Sequence, residues 1–179
     1  MVKKLVVLAF LVVSTTAFTA PFKGSIQETI EEMADFSADN NTFAVIKKQP
    51  LHIRLSPRVV KGDLPETVKS EVLRAATYGV YRTFIHTKEN QVQVTVQPVL
   101  FEMGPSGAKL TLTKNPSATV TVTRAQAQKV AQDVLGASSL NGLVDDNDAW
   151  SDKMTNGRYF GRKPGLQKLS DALGVKYTP

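Results

Sequence analysis

Residues 91–97 read Gln-Val-Gln-Val-Thr-Val-Gln. No feature of the chain limits its fold more. Successive side chains of a strand point to opposite sides, so this run puts Val92, Val94 and Val96 on one face and polar groups on the other. Lys109 to Thr113 alternates again, with Leu110 and Leu112 inward, and so does Thr119 to Thr123, with Val120 and Val122 inward. The intervening Met103-Gly104-Pro105-Ser106-Gly107 and Lys114-Asn115-Pro116-Ser117 have turn chemistry. Short connections predict an antiparallel meander with one face on helices and one open. Thr42 to Ile46 and Leu51 to Leu55 add one interrupted strand, or two split near Pro50.

The helices are legible from their caps and stripes. Ser25 with Glu28 reads as a capping box for a helix over 25–36, with Ile26, Ile30, Met33 and Ala34 as its apolar stripe. Pro65 suits the first turn of a helix reaching about Thr87, with Val68, Val72, Ala76, Val80 and Phe84 on a broad face. Gly79 inside that helix costs about 1 kcal/mol relative to alanine. It is explained if the helix backbone packs closely on a sheet. Tyr78, Tyr81, Phe84 and Ile85 make its second half the aromatic centre of the core. Thr123 with Gln126 caps a helix ending at Gly136, and Leu166 to Leu173 forms a short one before Gly174.

The expected architecture is α+β: a mainly antiparallel sheet of about four strands with helices on one face. The expected order is α-β-α-β-β-β-α, followed by a loop-rich tail with a short helix. Residues 18–136 form the core domain, and 137–179 pack on it.

Residues 1–17 read as a cleaved signal peptide. Lys3 and Lys4 precede the apolar run Leu5 to Val13, which falls well short of the roughly 20 residues that span a bilayer. Small residues follow, and cleavage after Ala17 is favoured over Ala20, which would leave Pro21 at the next position. An uncleaved anchor or a buried helix is the alternative. The reading implies a periplasmic or secreted protein of the bacterial cell envelope. Losing residues 1–17, which carry two lysines and no acid, lowers the formal charge from +6 to +4, too little to point at nucleic acid. With no cysteine, disulfides, thiolate metal sites, a cysteine nucleophile and a lipoprotein anchor are all excluded. No stretch of the mature chain is apolar enough for a transmembrane helix.

No nucleophile elbow, zinc-protease motif, phosphate-binding loop or dinucleotide fingerprint is present. Neither a metal nor a cofactor is expected. A hydrolase would have to use His86, flanked by Thr83 and Thr87; the plainer reading is a histidine stabilising a helix end. Asp145-Asp146-Asn147-Asp148 gathers oxygen ligands but fails the calcium-loop spacing, since Trp150 stands at the third ligand position. Trp150 is read as anchoring the tail.

Two surfaces remain. By parity the outward sheet face carries His52, Arg54, Gln91, Gln93, Thr95, Gln97, Lys109, Thr111, Thr113, Thr119 and Thr121. A flat face of hydroxyl and amide groups suits recognition of a protein, although threonine is also common in strands for its propensity alone. The second surface is Asn156-Gly157-Arg158-Tyr159-Phe160-Gly161-Arg162-Lys163, whose three cations and two rings suit an anionic ligand such as a lipid headgroup, polysaccharide or phosphate. The plainer reading seats Tyr159 and Phe160 in the protein and leaves the cations in water. The leading expectation is a non-catalytic binding protein, an adaptor, inhibitor or accessory envelope component. Its partner would be another envelope or secreted protein, or a second copy in a homodimer. The anionic-ligand binder and the small hydrolase follow as alternatives.

Overall fold

Pro65 begins the long helix as expected. In the computed structural model, which describes residues 24–105 and 107–179, helix α2 runs Pro65–His86. The signal-peptide reading lies outside these residues. Helix α1, Ile26–Glu32, starts with a complete Ser25–Glu28 capping box. It stops earlier than the sequence suggests, because Ala34 turns left-handed at φ 56°. That turn carries Asp35 and Phe36 away from the helix axis. Strands β1 (Phe43–Lys47) and β2 (Leu51–Leu55) pair antiparallel, settling the interruption near Pro50 as a break between two strands. Three-residue β3 spans Arg58–Val60.

After α2 come β4 (Gln91–Val96), β5 (Val99–Gly104), β6 (Gly107–Leu112) and β7 (Ser117–Thr123). Helix α3, Arg124–Leu135, has the expected Thr123–Gln126 capping box and ends on Gly136 at φ 65°. Helices α4 (Asp152–Gly157) and α5 (Leu166–Leu173) and strand β8 (Lys176–Thr178) complete the chain.

The class is α+β, but the main sheet is mixed and larger than expected. Its order is β1-β2-β4-β7-β8, with β2 and β4 parallel and the other pairs antiparallel. Ile53, Val94 and Val120 stand in register across three strands and are buried beneath α2, as are Leu55 with Val96 and Val92 with Val122. A Cβ at Gly79 would meet Leu55 and Val94 methyls at 2.8 and 2.9 Å. The missing side chain therefore sets how closely α2 approaches the sheet.

The expected three-stranded meander is corrected. β4 pairs with β7, whereas β6 pairs with β5 in a second sheet ordered β3-β5-β6. Pro57 and Pro98 stand where β2 and β4 leave the main sheet, and neither has an N–H to donate. The bonds from Gln97 N–H to the Leu55 carbonyl and from Val99 N–H to the Pro57 carbonyl carry the β2–β4 pairing past them. Beyond this break the β5–β6 hairpin is mostly exposed and forms an arm.

Candidate functional site

The predicted polar face is partly assembled. Register places Arg54, Thr95 and Thr119 in one row and His52, Gln93 and Thr121 in the next. Two of its donors are already committed. His52 Nε2 lies 2.9 Å from Thr95 Oγ1, and burial lowers the His52 pKa. Arg54 Nη2 donates to the backbone and side-chain oxygens of Asn41. Lys109 and Thr111 do not join this face. They lie on β6, in the second sheet, because alternation fixes which way a side chain points and not which strand pairs with which.

His86 is fully buried, with Arg82 Nη1 3.2 Å from Nε2 and the Asp148 carboxylate 3.9 Å from Nδ1. The flanking hydroxyls are not aimed at it. Thr83 donates to the Gly79 carbonyl and Thr87 to the Thr83 carbonyl, each at 2.7 Å. Asp145 accepts from the backbone N–H groups of Asn147 and Ala149, which shapes the acidic loop as a turn.

The C-terminal basic segment departs from the plainer expectation at its rings and at Arg158. Tyr159 and Phe160 are 43% and 44% exposed, while Arg158 turns inward, half-buried. Arg162 and Lys163 stay at the surface. What receives Arg158 is a stripe on α2. Residues 74, 78, 82 and 86 recur every four positions and so share one helix face. They are Arg74, Tyr78, Arg82 and His86. Trp150 closes over the stripe, with the Arg82 guanidinium 3.8 Å and the Arg158 guanidinium 5.0 Å from its ring centre. Arg82 also donates to the Asp148 carbonyl at 2.8 Å. Arg74 stacks on Tyr159 at 4.9 Å and pairs with Glu71 at 2.8 Å. Trp150 anchors the tail as expected, and it does so on arginines.

Beside this stack lies a cleft of about 300 Å³, between the end of α1, the β2–β3 junction and α2. Asp35, Ser56, Arg58, Arg74, Tyr78 and Arg158 line it. Ser56 Oγ, Arg74 Nε and Arg158 Nε are buried atoms without a hydrogen-bond partner. Buried polar groups are normally paired, so three orphans on one cleft are unusual. Burial, then repulsion from Arg74 and Arg82, brings the Arg158 pKa down to about 10. Burial, then the Asp35 carboxylate, raises that of Tyr78.

Comparison with known proteins gives no match. Neither a family, nor a curated protein, nor a solved structure resembles the chain. The site is therefore read from its own chemistry. Sequence reasoning found Arg158 and Tyr159 and missed Asp35, Ser56, Arg74 and Arg82. The four-residue recurrence of Arg74, Tyr78 and Arg82 within an otherwise apolar helix was the available signal. Asp35 and Ser56 had none.

Proposed function

We propose that the chain is a non-catalytic binding protein that takes an anionic group into the cleft beside Tyr78. Its N-terminal residues suggest that it works in the periplasm or outside the cell. One observation carries the reading. Arg158 is a half-buried guanidinium with two arginine neighbours, and among the described residues no carboxylate forms an ion pair with it, although Asp35 acts on it from the same cleft. A cation drawn out of water is costly unless an anion compensates it. A ligand carboxylate or phosphate would supply that charge and accept from the orphaned donors around it.

Trp150, the single tryptophan, lies against Arg158 and reports on it directly. Its fluorescence should shift as acetate, phosphate or a larger carboxylate is titrated in. A charged hydrogen bond contributes about 1.5–3 kcal/mol, so Arg158→Met should weaken binding by roughly tenfold to a hundredfold. The melting temperature of this variant should not fall, because methionine fills the space without the charge. Equal affinity in both proteins would remove the reading.

A protein partner is the second reading, and the arm favours it. Val60, Phe101, Met103, Leu110 and Leu112 share one side of the second sheet by register, and Met103 is 73%, Val60 47% and Leu112 37% exposed. Strand β6 is an edge of that sheet, open to an extended apolar segment of a partner protein. Met103→Glu with Leu112→Glu should abolish retention of an envelope partner held by the wild type and leave anion binding intact. A partner held equally by both proteins would exclude the arm.

A further inference from the structure

We infer that the ligand of the cleft is a small zwitterion, a free α-amino acid, whose carboxylate meets Arg158 and whose ammonium meets Asp35. This inference rests on the anion-binding reading and narrows it. The cleft carries two kinds of charge. Arg74 and Glu71 already satisfy each other at 2.8 Å. The lining charges not held in an ion pair are then the cations Arg158 and Arg58 and the anion Asp35. Asp35 is near enough to raise the pKa of both Tyr78 and Arg158, yet it forms an ion pair with none of the arginines. A carboxylate and a guanidinium that line one small cleft without forming an ion pair fit a ligand that carries both signs. A phosphate dianion would satisfy the arginines and meet uncompensated repulsion from Asp35.

The neutral groups agree with this assignment. The orphaned Ser56 hydroxyl can donate to a carboxylate, adding a hydrogen bond to the charge contact. The tilted Phe36 and Tyr78 rings, 5.4 Å apart, give an apolar wall that an alkyl side chain or an ammonium can lie against. A cleft of about 300 Å³ lies at the small end of ligand sites, which suits an amino acid and not a polymer. Asp35 is also held in place by local backbone geometry. Ala34 adopts the left-handed region at φ 56°, which side chains other than glycine rarely occupy. Such strained residues persist where the surrounding structure holds them, often at binding sites. Here the strain sets where Asp35 leaves α1.

The test uses the mature chain and calorimetry with each of the twenty standard free amino acids, then with the N-acetyl and amide forms of any that bind, and with inorganic phosphate. At least one free amino acid should bind. Removing its ammonium by acetylation or its carboxylate by amidation should each cost about tenfold or more. Asp35→Asn should weaken the free amino acid by a similar factor and leave its N-acetyl form unchanged or tighter. If none of the twenty binds, or if phosphate or the N-acetyl form binds as tightly as the zwitterion, the inference fails. If phosphate binds and Arg158→Met abolishes it, the anion reading still stands. Failure of every probe together with an indifferent Arg158→Met removes both.

Discussion

Gly79→Val is expected to destabilise the domain by about 3 kcal/mol or more, the upper end of what overpacking costs. Its Cβ alone would stand 2.8 Å from a Leu55 methyl and 2.9 Å from a Val94 methyl. Both neighbours are fully buried on adjacent central strands, so neither can swing into free space. Relief requires α2 to lift off the sheet, which opens gaps along the packed valine face. Gly79→Ala separates the two contributions. Alanine gains about 1 kcal/mol of helix propensity, and the clash should still outweigh it. Urea unfolding should show lower midpoints for both variants, with valine far below alanine and slopes unchanged. A midpoint for alanine above that of the wild type would show that the helix and sheet are not in close contact at Gly79.

The second large effect is expected at Arg124. This residue opens α3, and its guanidinium reaches back to the end of α2. Nε donates to the Glu89 carbonyl, Nη1 to that of Phe84 and Nη2 to that of Thr87. A helix leaves its last carbonyls without internal partners, and here one planar group serves the helix end and the following turn together. Arg124→Met should cost about 2–4 kcal/mol, because three part-buried carbonyls lose a charged donor at once. Arg124→Lys keeps the charge but not the three-pronged geometry and should recover less than half. Thermal unfolding gives the loss, and amide exchange should rise first over 85–90. Lysine restoring full stability would mean that charge alone is what matters there.

These two sites also mark what was legible in the sequence. Capping boxes and Gly79 are local signals, written within a few residues of where they act, and they held. Alternation in β4 and β7 correctly sorted buried from exposed side chains. It was silent on pairing, and Lys109 and Thr111 were misplaced for that reason. Val99-Leu100-Phe101-Glu102 gave no clean alternation because β5 starts buried and ends in the open arm. The parallel β2–β4 pair depends on α2 crossing between them, and no short-range pattern encodes it. At the cleft, Arg158 was seen as a cation but not as a half-buried one. Its burial depends on Trp150 and on the Arg74–Tyr78–Arg82 stripe of α2, which lies far away in sequence. Cations on a helix ordinarily face water, so the stripe takes its meaning only from what covers it.

The position of β4 has a consequence in time. It sits at the centre of the main sheet, paired with β2 across the whole of α2 on one side and with β7 across the entire β5–β6 hairpin on the other. None of its ladder is local. Closing such loops precedes any gain from the contacts they bring, which slows folding. The helices can form early, but the surface they pack on cannot be complete until β7 has emerged. The central sheet of this chain is therefore expected to close only after about two-thirds of the chain has been made, since β7 ends at Thr123.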